Sequence, residues 1–449
     1  MKKQYKGLLA LTMGLALALT ACGSTKAAGS GEGSQDKVMG TDDSIEGKIS
    51  VQVEDAWQDY YQAAADRVKE KYPNAEIEFI NTSSFDHLDV LDQTDATNED
   101  VADLFAMPAD RLAGLSSKEV LASIDSQKLA GEIGGFENFD EGIGGNFNVD
   151  GEYLAFPYNI ETLVTFVNKK NAEEAGIDPS KPIELNDVKT PEEVLLPIFD
   201  AWYGVALTNS SEIELLGKDD DGKLFSDMTK DYKDLEPEKQ ATIKAIYDYW
   251  KKHNDEGTPL FDNEAGWAYV DDSFTTGNGG IFRLAGAWDT ATATEQAGEG
   301  NLEIYPIDQI TVAGKPLVHW KGGWGLAINA RLEGKDNEMA IAEQMIKEIV
   351  NPDYAVDLFK ATGKILENVD ASVYAESDLS DSDKAVIDAT IKSYENAPAR
   401  PLFEEWGSVW DSWKNAVLSW NSVKPADEEA AYKELQASFK SMMTNFNQQ

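Results

Sequence analysis

The sequence predicts an α/β protein of two lobes, each a mixed or mostly parallel sheet flanked by helices, with a cleft where the chain crosses between them. Three observations carry this. Residues 48–53 alternate Ile49, Val51 and Val53 with polar residues, and Tyr61, Ala64, Ala65, Val68 and Tyr72 then follow helical spacing until Pro73 stops them. Residues 75–80 return to a strand pattern, and strand–helix–strand is the unit of a parallel sheet. The stretch 150–170, DGEYLAFPYNIETLVTFVNKK, is an extended run interrupted at Pro157, which has no N–H to give a sheet ladder. One half should finish a first lobe and the other begin a second. The length left for folding, roughly 400 residues, suits two or three domains.

The chain opens with Lys2, Lys3 and Lys6 before an apolar run at 7–21, followed by Cys22. A basic start, a short apolar run and a small residue at the cut describe a signal peptide over 1–21. Its apolar run of 15 residues is short of the roughly 20 that span a bilayer. Leu19-Thr20-Ala21-Cys22 resembles a bacterial lipobox, which implies that Cys22 carries a lipid anchor and that the protein faces the outside of the cell membrane. Cys22 is the only cysteine, so no internal disulfide forms. Residues 22–47, rich in Gly, Ser, Ala, Asp and Lys, read as a flexible tether.

Without residues 1–21 the chain keeps 36 basic and 81 acidic residues, a net charge of −45. Such a charge repels phosphate and excludes nucleic-acid binding. With 42% hydrophobic residues and eleven Trp, a large core is available, so the acidity belongs to the surface.

In open α/β sheets ligands bind beyond the carboxyl ends of strands. That rule selects Trp57 after the first strand, and Asp110 and Arg111 after a third strand at 103–107. An Asp supplies acceptors and an Arg donors, which suits vicinal hydroxyls. The simpler alternative has Asp110 capping the next helix and Arg111 pairing with a surface acid. Thr190-Pro191-Glu192-Glu193 predicts a helix start. Tyr203, with Phe199 and Trp202, belongs to an aromatic cluster that serves either core or ligand. Residues 217–223, GKDDDGK, lack the Ser/Thr of a phosphate loop and the closing Glu of an EF-hand. His87, His253 and His319 are scattered, and no cofactor or metal is expected.

Several segments together resemble the maltose/maltodextrin-binding family of bacterial extracellular solute-binding proteins. These are Phe156-Pro157, Glu161 and Asn168-Lys169 at the crossing; Met107-Pro108-Ala109-Asp110-Arg111; Gly286-Ala287-Trp288; the run 321–329, KGGWGLAIN; and the run 397–420, APARPLFEEWGSVWDSWKNAVLSW. The resemblance implies a periplasmic-binding-protein type II fold. It places one lobe at 48–159 plus 308–362 and the other at 160–307 plus 363–449. It implies sugar contacts from Asp110, Arg111 and Glu161, and aromatic stacking by Trp288 and Trp410. Trp406 is a candidate second platform and Trp324 a candidate lining residue of the cleft, with Trp413 and Trp420 read as packing. Two positions depart from the family pattern: Ala109 stands where His is usual, and Trp57 lies in a loop that often carries Lys.

The implied function is that of a monomeric, non-enzymatic receptor. It would capture maltodextrin or another α-glucan and deliver it to the permease subunits of an ABC importer. Two alternatives stay open: a receptor for another oligosaccharide (cyclodextrin, isomalto- or plant-derived), and a surface glycoside hydrolase using Glu161 and Asp110 as its carboxyl pair.

Overall fold

The computed structural model describes residues 40–446, apart from 137 and 220. The expected signal peptide, Cys22 and most of the tether lie outside the described residues. The fold begins earlier than the tether boundary at 47. The Asp42 N–H donates to the Lys71 carbonyl, and the first strand starts at Glu46 because Asn74 pairs with it.

Nine strands build two main sheets, numbered here along the chain. The first sheet contains β1 (Glu46–Val53), β2 (Asn74–Asn81), β3 (Leu104–Pro108), β4 (Phe156–Glu161) and β9 (Gly322–Ile328). Its order is β2-β1-β3-β9-β4. β1 is parallel to β2 and β3, while β9 runs antiparallel to β3 and β4. The second sheet contains β5 (Leu163–Asn168), β6 (Val194–Leu195), β7 (Phe282–Gly286) and β8 (Leu302–Pro306), in the order β8-β5-β7-β6. Here only β6 and β7 are parallel. Both sheets are therefore mixed, because each takes in a strand that arrives from the other lobe.

The helix expected after Thr190 is instead a single 3-10 turn, Pro191–Glu193, leading into β6. Glu193 accepts from the Lys189 N–H, and the apolar run at 194–196 is buried beside β7. β-Pairing of a buried apolar run has overridden the cap signal.

Among the described residues, three crossings join the lobes. Thr162 alone separates β4 from β5, so the crossing expected near Pro157, with a lobe boundary at 159/160, comes at Thr162. The second crossing comes later than the expected 307/308. Ile310–Val312 pairs with Ile183–Glu184 in a small sheet, and the Val318 N–H still reaches the Ala206 carbonyl of the second lobe. The third also comes later than 362/363. The Ile160 N–H donates to the Ile365 carbonyl and Asn368 bonds the Gly134 carbonyl, holding that segment to the first lobe. The helix Asp381–Glu395 then packs on β8 and β5. Among the described residues, no helix is long and apolar enough to cross a membrane.

Candidate functional site

A cavity of about 940 Å³ lies between the lobes, at the carboxyl ends of β1 and β3 and beside the β4–β5 crossing. Of the residues selected from sequence, Trp57, Asp110, Arg111, Glu161, Trp288, Trp324, Trp406 and Trp410 all line it. Tyr203 does not. It is buried against Trp267, and its helix neighbour Trp202 faces the cavity instead. Asp200 caps that helix by accepting from the Trp202 N–H.

The acidic and basic groups pair in a way the sequence did not show. Asp110 follows β3 in a short turn and does not cap the next helix. Its Oδ2 accepts from Arg400 Nη2 at 2.9 Å, an ion pair across the cleft. Arg400 is almost fully buried, with its guanidinium 5.0 Å over the Trp202 ring and 5.6 Å over Trp320. Arg111 follows the simpler expectation: it lines the cavity but bonds Asp92 at 3.1 Å, an acid also held by Lys118. Glu54, at the end of β1, accepts from the backbone and hydroxyl of Ser84.

Glu161 ends β4. Burial pushes its carboxyl above the usual range, opposed by the positive charges of Arg400 and Lys364. Lys364, unmarked in the sequence, sits among three aromatic faces. Its ammonium lies 4.6 Å from the Trp324 ring centre, 5.0 Å from Trp57 and 5.2 Å from Tyr158. Burial lowers its pKa to about 8, against the opposing charges of Glu161 and Glu54.

The aromatic walls have separate supports. Trp57 stacks on Tyr61, whose hydroxyl donates to that of Tyr158. Trp324 lies on β9, with the exposed Phe85 against its edge. On the opposite wall Trp406, in the turn Glu404–Gly407, and Trp410, in the helix Ser408–Val423, meet edge to face at 4.9 Å. Trp320 packs edge-on against both. Trp413 and Trp420 are fully buried, and their indole N–H groups donate to the carbonyls of Ile198 and Ala431. Trp288 is 47% exposed at the rim. Its ring lies over Gly286, where a Cβ would meet it at 2.1 Å, and Arg283 anchors its turn through Asp289.

Among the described residues, buried polar groups in this lining lack a protein partner: Asp110 Oδ1, Asn159 Oδ1, Thr162 Oγ1, and the indole nitrogens of Trp324 and Trp406. Native interiors leave few such groups unpaired, because each costs the desolvation of a donor or acceptor. The residues that carry these unmet donors and acceptors line one cavity between flat aromatic faces. That surface suits a ligand with apolar faces and a rim of mixed hydrogen-bonding groups.

The fold resembles three sugar-bound structures at low identity. The maltose-binding periplasmic protein MalE of Listeria monocytogenes, in complex with maltose, aligns with TM-score 0.67 at 18% identity, covering 90% of this chain and 98% of that one. MalX of Streptococcus pneumoniae, in complex with maltopentaose, aligns with TM-score 0.65 at 18% identity, covering 88% and 99%. The GacH receptor of Streptomyces glaucescens, solved unliganded and with acarbose, aligns with TM-score 0.65 at 16% identity, covering 89% and 99%. No curated protein sequence gives a significant match. The profile of the family described as "Bacterial extracellular solute-binding protein" matches residues 63–388, nearly three-quarters of the chain, and with the two-lobed fold around a central cleft it makes this chain a member of that family.

Proposed function

We propose that this protein is the binding component of an ABC sugar importer and captures a neutral α-glucan oligosaccharide such as a maltodextrin. The observation that carries the reading is the set of unpaired buried donors and acceptors set between two tryptophan walls in an inter-lobe cleft. Tryptophan faces cover the C–H faces of a pyranose, and the indole, carboxylate and amide groups meet its hydroxyls. Structurally similar proteins were solved with maltose and maltopentaose, which favours the same ligand class here. The cavity volume suits a short oligosaccharide.

In this reading Asp110, Glu161, Trp288, Trp410, Trp324 and Trp406 contact the sugar directly. Trp57 acts behind Lys364, and Arg111 contributes at the margin. Lipid on Cys22 holds the receptor on the outer face of the membrane, and the closed form docks on the permease subunits. The protein does not hydrolyse its ligand, since Asp110 is tied to Arg400 and Glu161 shares its surroundings with two cations.

The test pairs two measurements. Small-angle scattering should show compaction with saturating maltotriose, as expected of lobe closure about a hinge. Maltoheptaose incubated with the protein should remain intact. Unchanged scattering at saturation contradicts a closing receptor, and shorter products would establish a hydrolase.

A further inference from the structure

Most charged groups around the cleft are already paired. Asp92 is shared by Arg111 and Lys118, Asp110 is held by Arg400, and Glu54 is bonded by Ser84. Glu161 and Lys364 differ: among the described residues neither makes an ion pair. Backbone geometry nevertheless puts them side by side. The antiparallel bridge between Ile160 and Ile365 makes Lys364 the residue opposite Glu161. Gly363, at φ 68°, ends the preceding helix with the left-handed turn that delivers Lys364 there. The Lys364 N–H is also fixed, donating to Thr362 Oγ1 at 3.1 Å.

The three rings meet the ammonium with their faces and attract its charge, and among the described residues the ammonium donates no hydrogen bond, the Tyr158 hydroxyl being engaged with Tyr61. Its N–H groups are therefore left facing the cavity without a hydrogen-bond partner among the described residues. Beside them the Trp324 indole N–H leans toward Glu161 without reaching hydrogen-bond geometry. An ammonium that only donates, next to a carboxylate that only accepts, matches two neighbouring hydroxyls, one lending a lone pair and the other a proton.

We propose that Lys364 is a ligand-binding residue that, together with Glu161, clamps a pair of neighbouring hydroxyls on the sugar ring nearest the hinge. The inference rests on the sugar-receptor reading and deepens it. Both residues stand on the first-lobe side of a crossing, so the ring they hold lies beside the hinge.

The test is titration of the protein with maltotriose, xylotriose and raffinose, comparing wild type with Lys364→Met and Lys364→Arg. Met keeps the aliphatic stem among the rings and removes only the donors. Loss of hydrogen bonds from a charged group should weaken binding about 10- to 100-fold. The thermal midpoint of the unliganded Met variant should not fall, because a poorly solvated ammonium has been removed. Arg should recover most of the affinity.

The groups facing the ammonium are Glu161, Glu54 and the Tyr158 ring. Wild-type affinity should decline as pH rises through about 8, where Lys364 loses its proton, and the Met variant should show no such decline. Unchanged binding by Lys364→Met overturns the clamp and leaves the receptor reading standing. So does weakened binding with a wild-type pH profile, which would mark a structural role. Absence of wild-type binding to all three sugars overturns both.

Discussion

Replacing Arg400 with Ala tests how the cleft is held together. Arg400 is 8% exposed and forms an ion pair with Asp110, whose side chain keeps 24% exposure. Breaking a buried pair costs about 3–5 kcal/mol when the remaining charge stays dry. Asp110 regains some water, so the ionic part should come to about 2–3 kcal/mol. The guanidinium also leaves the faces of Trp202 and Trp320, a further loss of about 1 kcal/mol. Arg400→Ala should therefore lower unfolding free energy by about 3–4 kcal/mol. Asp110→Ala, which strands the more deeply buried Arg400, should cost a similar amount. The double variant should cost less than the sum, with a coupling of about 2 kcal/mol in urea unfolding at pH 7. Additivity within about 0.5 kcal/mol would refute the claim that this pair is a direct strut across the cleft.

Other perturbations separate framework from site. Glu367 is held largely out of water, its Oε2 unpaired, and burial pushes its pKa up to about 7. The folded state thus binds this proton more tightly than the unfolded chain, whose carboxyl titrates near 4.5. Its stabilising effect is complete below pH 4.5 and is lost as pH rises through about 7. Glu367→Gln should consequently raise the melting temperature at pH 8 by several degrees and change it little at pH 4, in thermal unfolding. Gly204→Ala should destabilise by about 1–3 kcal/mol, since the new Cβ would lie 2.7 Å from Trp413. Calorimetry of the unliganded protein reads this out. Tyr203→Phe should leave sugar affinity unchanged in a binding titration, whereas Trp202→Ala should weaken it, because only Trp202 faces the cavity.

The strand periods at the start of the chain located β1 and β2, and the strand-end rule found Asp110 and Arg111 without help from any relative. Glu161, Trp288 and Trp410 came from local segments that resemble a known family, and all three line the cavity. What the sequence does not reveal depends on contacts between distant segments. Lys364 gains its place from the pairing of Ile365 with Ile160, which no spacing in sequence encodes. Arg400 did leave a signal: it is one of only five arginines and stands between Ala399 and Pro401 in a stretch already singled out. Its partner across the cleft was invisible. The helix Ala201–Ser210 is apolar on nearly every side, so periodicity does not tell which of Trp202 and Tyr203 turns to the cavity. The crossings fell later than expected because short pairings, such as Ile310–Val312 with Ile183–Glu184, keep the chain in one lobe after its main strand has ended.

The most direct test of the central claim is calorimetric titration of the protein with maltotriose, with xylotriose and raffinose as controls and Trp410→Ala alongside. The account predicts saturable binding of maltotriose alone, weakened at least tenfold in Trp410→Ala, as expected when about 1.5 kcal/mol or more of aromatic contact is lost. Heat from xylotriose or raffinose but none from maltotriose would keep a sugar receptor and discard the α-glucan. Silence with all three would contradict the account at its centre.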